Sequence, residues 1–214
     1  MLADLWPTYG LTIHTPRLEL RLPREAELCA LARLAGEGVH HPGERPFLTP
    51  WTEGSPAERE SSVLRGFWSD LAEWSPTDWG LQLGVFLDGR PLGLVGLNGR
   101  DFRVVREVTT WSWLGLPHHG RGHGTEARAG LLALAFHHLG AHAALSTVFQ
   151  DNHSSQAVSR KLGYRPDGIS VDARGDEALV SDRLRLTRAA WSAGDHPTVT
   201  VTGLTADCRA AFGL

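Results

Sequence analysis

Six consecutive residues, His119-Gly120-Arg121-Gly122-His123-Gly124, form the densest concentration of chemistry in the chain. They follow an apolar, aromatic run that ends at Leu116-Pro117 and precede a long helix-forming stretch that opens at Thr125. Glycine has no Cβ to hold backbone away from a ligand, and a helix start leaves several N–H groups without partners. Together these features predict a nest for an anionic group, most often phosphate. Downstream, Asn152 and Ser155 open a second, shorter helical stretch, where Ser155 reads as an N-cap or first-turn residue. His119 and His123 have the spacing of metal ligands on a helix but lie in a turn. A phosphate-facing or solvent role is assigned to them, and no metal.

Gly122, Gly124 and Ala127 also satisfy a dinucleotide-binding fingerprint. That reading requires the motif to open a series of βαβ units. About half the chain precedes it here, mostly as adjacent strands joined by short turns, so the context is wrong.

The 214 residues, 42% of them apolar, suit one well-buried domain with additions. A net charge of -3 gives no general basic surface for nucleic acid, so an anion site must be local. Cys29 and Cys208 lie far apart, which suits a reducing compartment and argues against a disulfide framework or a zinc site. No segment resembles a signal peptide or a membrane span, and the cytoplasm is the expected location.

The elements that must position these residues follow from pattern. Leu11 to Leu22 alternates from Leu18 onward and predicts one strand; Glu25 to Leu34 predicts a helix ended by Gly36 and Gly38. Val39 to Pro56 is a proline-rich, aromatic loop suited to wall a pocket. Ser55-Pro56-Ala57-Glu58 starts the next helix. Trp79 to Leu87, Asp88-Gly89 and Pro91 to Leu97 form a hairpin, and Val104 to Leu116 adds a strand with Glu107, Thr109, Trp111 and Trp113 on one face. Thr125 to Leu139 is a buried helix, Ala143 to Phe149 a strand, and Tyr164 to Val171 with Ala178 to Leu186 a last strand pair. From Ser192 a short strand and a short helix follow. Trp68 and Trp79 are assigned to the core; Trp51 and Trp111 are assigned to an acceptor pocket.

This order, with the glycine turn in its middle, resembles the GNAT acyltransferase superfamily. His119 to Gly124 looks like that family's Q/R-x-x-G-x-G/A loop, with His at the Q/R place. Thr15 to Leu20 (TPRLEL), and Asn152 with Ser155 before Lys161 to Tyr164 (KLGY), resemble its RimJ/RimL branch. The resemblance spans about residues 11 to 188. It implies an α/β (α+β) fold with a mixed sheet of about seven strands, helices on both faces, and a splay between two parallel strands ending near Leu116 and Phe149. Residues 1-190 would form the acyltransferase domain and 191-214 an extension of unreadable role.

The resemblance also implies roles. Trp113, Leu114 and Leu116 would offer strand edge to the pantetheine arm of acyl-CoA. His119, Gly120, Arg121, Gly122, His123, Gly124 and Thr125 would hold the pyrophosphate, Asn152 a pantetheine amide, and Arg160 and Lys161 the adenosine 3′-phosphate. Direct acyl transfer to an amine needs a base and a donor to the leaving thiolate. Ser155 is the expected donor, because Ser159 occupies the place of a tyrosine acid found in many relatives. Thr109 stands where relatives often carry an acid, which makes Glu107 and Asp172 the candidate bases. The expected donor is acetyl-CoA, with succinyl-CoA as the alternative if Arg45 or Arg106 faces the acyl group. A non-catalytic acyl-CoA binder and a nicotinamide binder are the competing readings. The expected acceptor is a small-molecule amine or a peptide or protein N-terminus, with no nucleic acid, no membrane and no metal; a homodimer is allowed.

Overall fold

Asp88 and Gly89 both adopt positive φ (50° and 75°), the type I′ geometry whose twist matches that of the strands it joins. The long hairpin they close anchors the sheet. The computed structural model describes the whole chain, Met1–Leu214. In chain order its elements are α1 (Leu2–Leu5), β1 (Thr12–His14), β2 (Glu19–Arg21), α2 (Glu25–Glu37), α3 (Pro56–Ala72), β3 (Asp78–Leu87), β4 (Arg90–Arg100), α4 (Phe102–Val105), β5 (Glu107–Leu114), α5 (His123–Ala133), β6 (Ala143–Phe149), α6 (His153–Lys161), β7 (Arg165–Arg174), β8 (Glu177–Thr187), α7 (Arg188–Ser192), β9 (Thr200–Thr202) and α8 (Ala206–Ala211).

All nine strands form one sheet in the order β7-β8-β6-β5-β4-β3-β2-β1-β9. Only β5 and β6 run parallel. Two strands exceed the expected seven or so for identifiable reasons. Leu11 to Leu22 is not one strand: Pro16 interrupts it, Thr15 N–H donates to Leu18 O, and β1 pairs back on β2. The tail adds β9, which pairs with β1, while Phe212, just past α8, is fully buried. Residues 191–214 therefore complete the sheet and core instead of trailing from them.

Local signals set most boundaries. Ser55 caps α3 in a reciprocal box: Glu58 N–H donates to Ser55 Oγ at 3.3 Å and Ser55 N–H to Glu58 Oε2 at 2.7 Å, with Pro56 in the first turn. Gly36 stays inside α2, which ends at Gly38. Phe102–Val105 is a helical turn, so β5 starts at Glu107 and not at Val104. Beyond Ala133 the helix widens into a π turn over Leu134–Leu139 and stops at Gly140, φ 82°.

Helices cover both faces. Leu34 of α2 lies over Gly115, and Gln82 of β3 donates to Gly66 O and Asp70 Oδ2 of α3. On the opposite face Ile13 and Leu20 lie against Gly130 of α5, whose residues are almost all buried. Trp79 is core as expected, stacked with Trp74 and edge-on to Phe212. Trp68 is not: it is 55% exposed, on the solvent side of α3.

Candidate active site

β5 and β6 pair only at Glu107–Ala143, Val108–Ala144 and Thr109–Leu145. β5 then continues to Leu114 and β6 to Phe149 without further pairing between them. A wedge-shaped gap therefore opens inside the sheet, with β5 held on its far side by β4 and β6 by β8.

Backbone parity decides which groups face this gap. Gly115 N–H donates to Leu92 O, and in an antiparallel pair the direction of the backbone groups alternates. Trp113 therefore points its N–H and C=O at β4, whereas Ser112 and Leu114 point theirs into the gap. This corrects two expected edge donors. Trp113 contributes its indole, not its backbone, and Leu116 N–H is taken by Gly38 O at 3.0 Å. Ser112 was missed, although the alternation that placed Trp111 and Trp113 on one face also fixes its backbone direction. His119 Nε2 donates to Leu114 O at 2.9 Å, so the Leu114 N–H is the open group.

At the mouth of the gap, Gly120 and Gly122 take positive φ (72° and 79°) and lead into α5. The first helical bond is Glu126 N–H to Gly122 O, and no side chain caps the helix. The N–H groups from Gly120 to Thr125 donate to nothing within the chain. Such a run of unmatched donors is an anion cradle that suits a diphosphate. Arg121 is exposed beside it. His123 has its backbone in the cradle but its ring buried, with Nδ1 unpartnered. Burial, then the Arg17 charge, hold His123 below the ordinary histidine value; burial, then Arg121, do the same for His118.

Arg17 and Glu126 brace the cradle. Glu126 is 9% exposed and accepts from Thr15 Oγ1 (2.7 Å), Arg17 N–H (2.8 Å) and Arg17 Nε (2.6 Å), while Arg17 Nη1 donates to Arg121 O at 3.2 Å. Burial raises the Glu126 carboxyl, but these donors outweigh it and leave the group below its usual value. Arg17 was not singled out from sequence, though it lies within the TPRLEL stretch.

The face of β5 that carries Thr109, Trp111 and Trp113 looks toward α2, α3 and the loop between them. Trp111 lies flat on Gly96, where a Cβ would meet its ring at 2.0 Å. Trp51 packs on Trp113 with centroids 5.8 Å apart, Phe47 on Trp51 at 5.2 Å, and His40 on Phe47 at 6.3 Å. Trp51 and Trp111 therefore lie on this aromatic side. His40 Nδ1 donates to His41 O (3.0 Å), and Nε2 lies 2.9 Å from the buried Thr52 hydroxyl oxygen.

Arg45 does not face an acyl group. It pairs with Glu53 and Glu177 at 3.3 Å each, and Glu53 also pairs with Arg174. This ion network fastens the α2–α3 loop to the tip of the β7–β8 hairpin. Arg106 is likewise committed, donating to Leu139 O at 3.4 Å and lying over the Phe102 ring.

Of the expected bases, Glu107 is ion-paired with Arg185 and sits where β5 and β6 are still joined. Both of its carboxylate oxygens are engaged by the Arg185 guanidinium. Asp172 accepts only from Ser170 Oγ, at 3.1 Å, and by strand alternation shares the face of Arg174, toward the loop. Asn152, not Ser155, caps α6: its Oδ1 accepts from Ser155 N–H at 3.0 Å and its Nδ2 donates to Pro46 O at 3.5 Å. Ser155 is half-buried and its hydroxyl makes no hydrogen bond, whereas Ser159 is fully buried. Arg160 and Lys161 are exposed in the last turn of α6, where cations also complement the helix dipole. No cluster of three His, Cys, Asp or Glu side chains is placed to hold a metal, and no helix is long and apolar enough to cross a membrane.

A sequence model of the acetyltransferase (GNAT) domain matches residues 17–165, the stretch from the Arg17 brace through α6. The chain belongs to the GNAT acetyltransferase family. The fold agrees with solved GNAT structures. Mycobacterium smegmatis RimJ, in complex with a CoA disulfide, is 19% identical, with TM-score 0.64 over 85% of this chain and 88% of that one. RimL, a ribosomal L7/L12 α-N-protein acetyltransferase in complex with coenzyme A, is 16% identical, with TM-score 0.63 over 81% of this chain and 95% of that one. A GNAT-family acetyltransferase from Bacillus anthracis is 15% identical, with TM-score 0.65 over 83% and 99%. The nicotinamide reading falls with this assignment: the glycine turn follows β5 in the middle of a mixed sheet and does not open a series of βαβ units.

Proposed function

We propose that this GNAT domain is an acyl-CoA-dependent N-acyltransferase that moves an acetyl group to a primary amine by direct attack. The observation that carries the reading is the gap between β5 and β6 together with the uncapped cradle at its mouth. N–H groups from Gly120 to Thr125 hold the diphosphate, Arg121 adds charge, and Leu114 and Ser112 pair with the arm. Arg160 and Lys161 remain the cations assigned to the 3′-phosphate.

The chemistry left to side chains is proton transfer. The amine must attack in its neutral form, so its proton leaves through water to Asp172, the candidate base that no cation pins. Ser155, whose hydroxyl is free, donates to the thiolate as the C–S bond breaks. Neither free cysteine lies on the gap, which supports attack without an acyl-enzyme. Arg45 and Arg106, the two cations that the sequence offers to a succinyl carboxylate, are engaged elsewhere, and acetyl-CoA is the assigned donor.

For the acceptor we favour the α-amine of a peptide or protein N-terminus over a small amine. RimL acts on such an amine, and the aromatic side of the gap here, roofed by the ion-paired loop, offers a wall for an extended chain. A reducing compartment, the cytoplasm, fits two free cysteines. The test is thiol release from acetyl-CoA with a panel of N-terminal peptides, amino sugars and polyamines. Release with peptides supports the reading, and binding of CoA without release from any donor and acceptor makes the chain a binding module.

A further inference from the structure

Arg128 of α5 is 2% exposed and enters none of the chain's ion pairs. Its Nη2 donates to Thr110 Oγ1 at 2.9 Å and to Ser146 Oγ at 3.3 Å, and its Nε has no partner. Tyr164 completes the surroundings: its hydroxyl lies 3.1 Å from Thr110 Oγ1 and its ring 5.5 Å from the guanidinium carbon. A buried cation with only neutral partners is costly, because two hydroxyls and a ring face replace only part of its hydration and no counter-charge replaces the rest. A cation buried without a counter-charge is a candidate to meet a negative one.

Its place in the fold says which charge. Thr110 and Ser146 are the first residues past the last paired position of β5 and β6, so the guanidinium spans the apex of the gap from the α5 side. Leu114, beside Gly124 at the mouth, lies four residues up the strand from Thr110, about 13 Å at the usual strand rise. The arm between the diphosphate and sulfur of coenzyme A has about twelve bonds, the length of roughly four residues of extended chain. An arm held at the cradle therefore brings its thioester to the depth of Arg128. It cannot pass deeper within the sheet, because the strands close at Thr109 and Leu145.

We propose that Arg128 is a catalytic residue: its guanidinium faces the thioester carbonyl oxygen and stabilises the oxyanion that forms on acyl transfer. This rests on the reading of the gap as the acyl-CoA site. As the amine nitrogen bonds to the carbonyl carbon, the carbonyl π pair moves to oxygen, where the cation meets it. When that pair returns, the C–S bond breaks and the thiolate leaves toward Ser155. Charge that develops in a water-poor site next to a fixed cation is stabilised strongly, and loss of one such donor costs about 10²–10³ in kcat.

The experiment compares wild type, Arg128→Met and Arg128→Gln, each checked for cooperative thermal unfolding. The probe is a ketone analogue of acetyl-CoA, acetonyl-CoA, labelled with ¹³C at the carbonyl. In wild type the carbonyl resonance moves downfield on binding. In both variants it returns toward its free position, while CoA affinity is unchanged and kcat for the best peptide acceptor falls by about two orders of magnitude or more. Arg128→Gln retains a donor for Thr110 and Ser146, and decides the matter if the Met variant does not fold. A carbonyl resonance as far downfield in the folded variant as in wild type overturns the proposal and leaves the site reading intact. Failure of wild type to bind CoA overturns the site reading itself.

Discussion

Thr109 and Leu145 are the last pair between β5 and β6, and the strands diverge from the next residue onward. Backbone groups left unpaired inside a sheet must find another partner. A pantetheine arm that supplies it binds only the folded state. CoA at 100 times its Kd should therefore add about 2.7 kcal/mol to stability. That raises the midpoint of thermal unfolding by roughly 5–10 °C for a domain of this size. Differential scanning calorimetry with CoA and with NAD checks this; a shift with NAD and none with CoA speaks against the assignment.

Gly122 is held at φ 79°, and a Cβ there would stand 3.4 Å from Arg17 Nη2. Gly122→Ala should strain the cradle by about 1–2 kcal/mol and weaken CoA binding by about tenfold. Gly66→Ala is the control, in open space on α3, and should stabilise by about 0.5–1 kcal/mol. Calorimetric titration of both variants with CoA compares them; equal affinities would remove the left-handed turn from the account.

Glu126 joins the first strand hairpin to the cradle through Thr15 and Arg17. Its folded value lies below the ordinary one of about 4.3. The stability it contributes is complete above that unfolded value and is lost as pH falls through the folded one. Glu126→Gln should cost about 2 kcal/mol at neutral pH. The variant should also lose less stability than wild type as pH falls below about 4.3. Urea unfolding across that range reads the difference, and parallel curves for the two proteins would mean that Glu126 carries no such linkage.

Asn152 and Ser155 separate cap from chemistry. Asn152→Ala removes the oxygen that accepts Ser155 N–H and should cost about 1 kcal/mol. Ser155→Ala removes a hydroxyl that bonds nothing in the chain. It should leave stability unchanged and lower kcat by about 10²-fold or more. Unfolding curves and thiol-release rates on both variants check this; full activity in Ser155→Ala reassigns the thiolate donor.

What the sequence shows and hides follows the range of the interaction. Asp88-Gly89, Ser55-Pro56-Ala57-Glu58 and the glycine loop are local devices, and each stands where its residues say. Pro16 was the local sign that Leu11 to Leu22 breaks in two, outweighed there by the alternation of Leu18 and Leu20. The engagement of Arg45 by Glu177 and of Glu107 by Arg185 depends on contacts across 132 and 78 residues, which no spacing reveals. Arg128 reads as an ordinary helical arginine until β5 and β6 are seen to diverge above it. The β9 strand acquires a role only because β1 is an edge.

The most direct test is a crystal structure of the chain with coenzyme A. Diphosphate oxygens within hydrogen-bond distance of the Gly120–Thr125 amides, and the arm lying between Leu114 and Phe149 with its sulfur beside Thr110, are the predicted result. Coenzyme A bound elsewhere, or β5 and β6 joined along their full length in the complex, would contradict it.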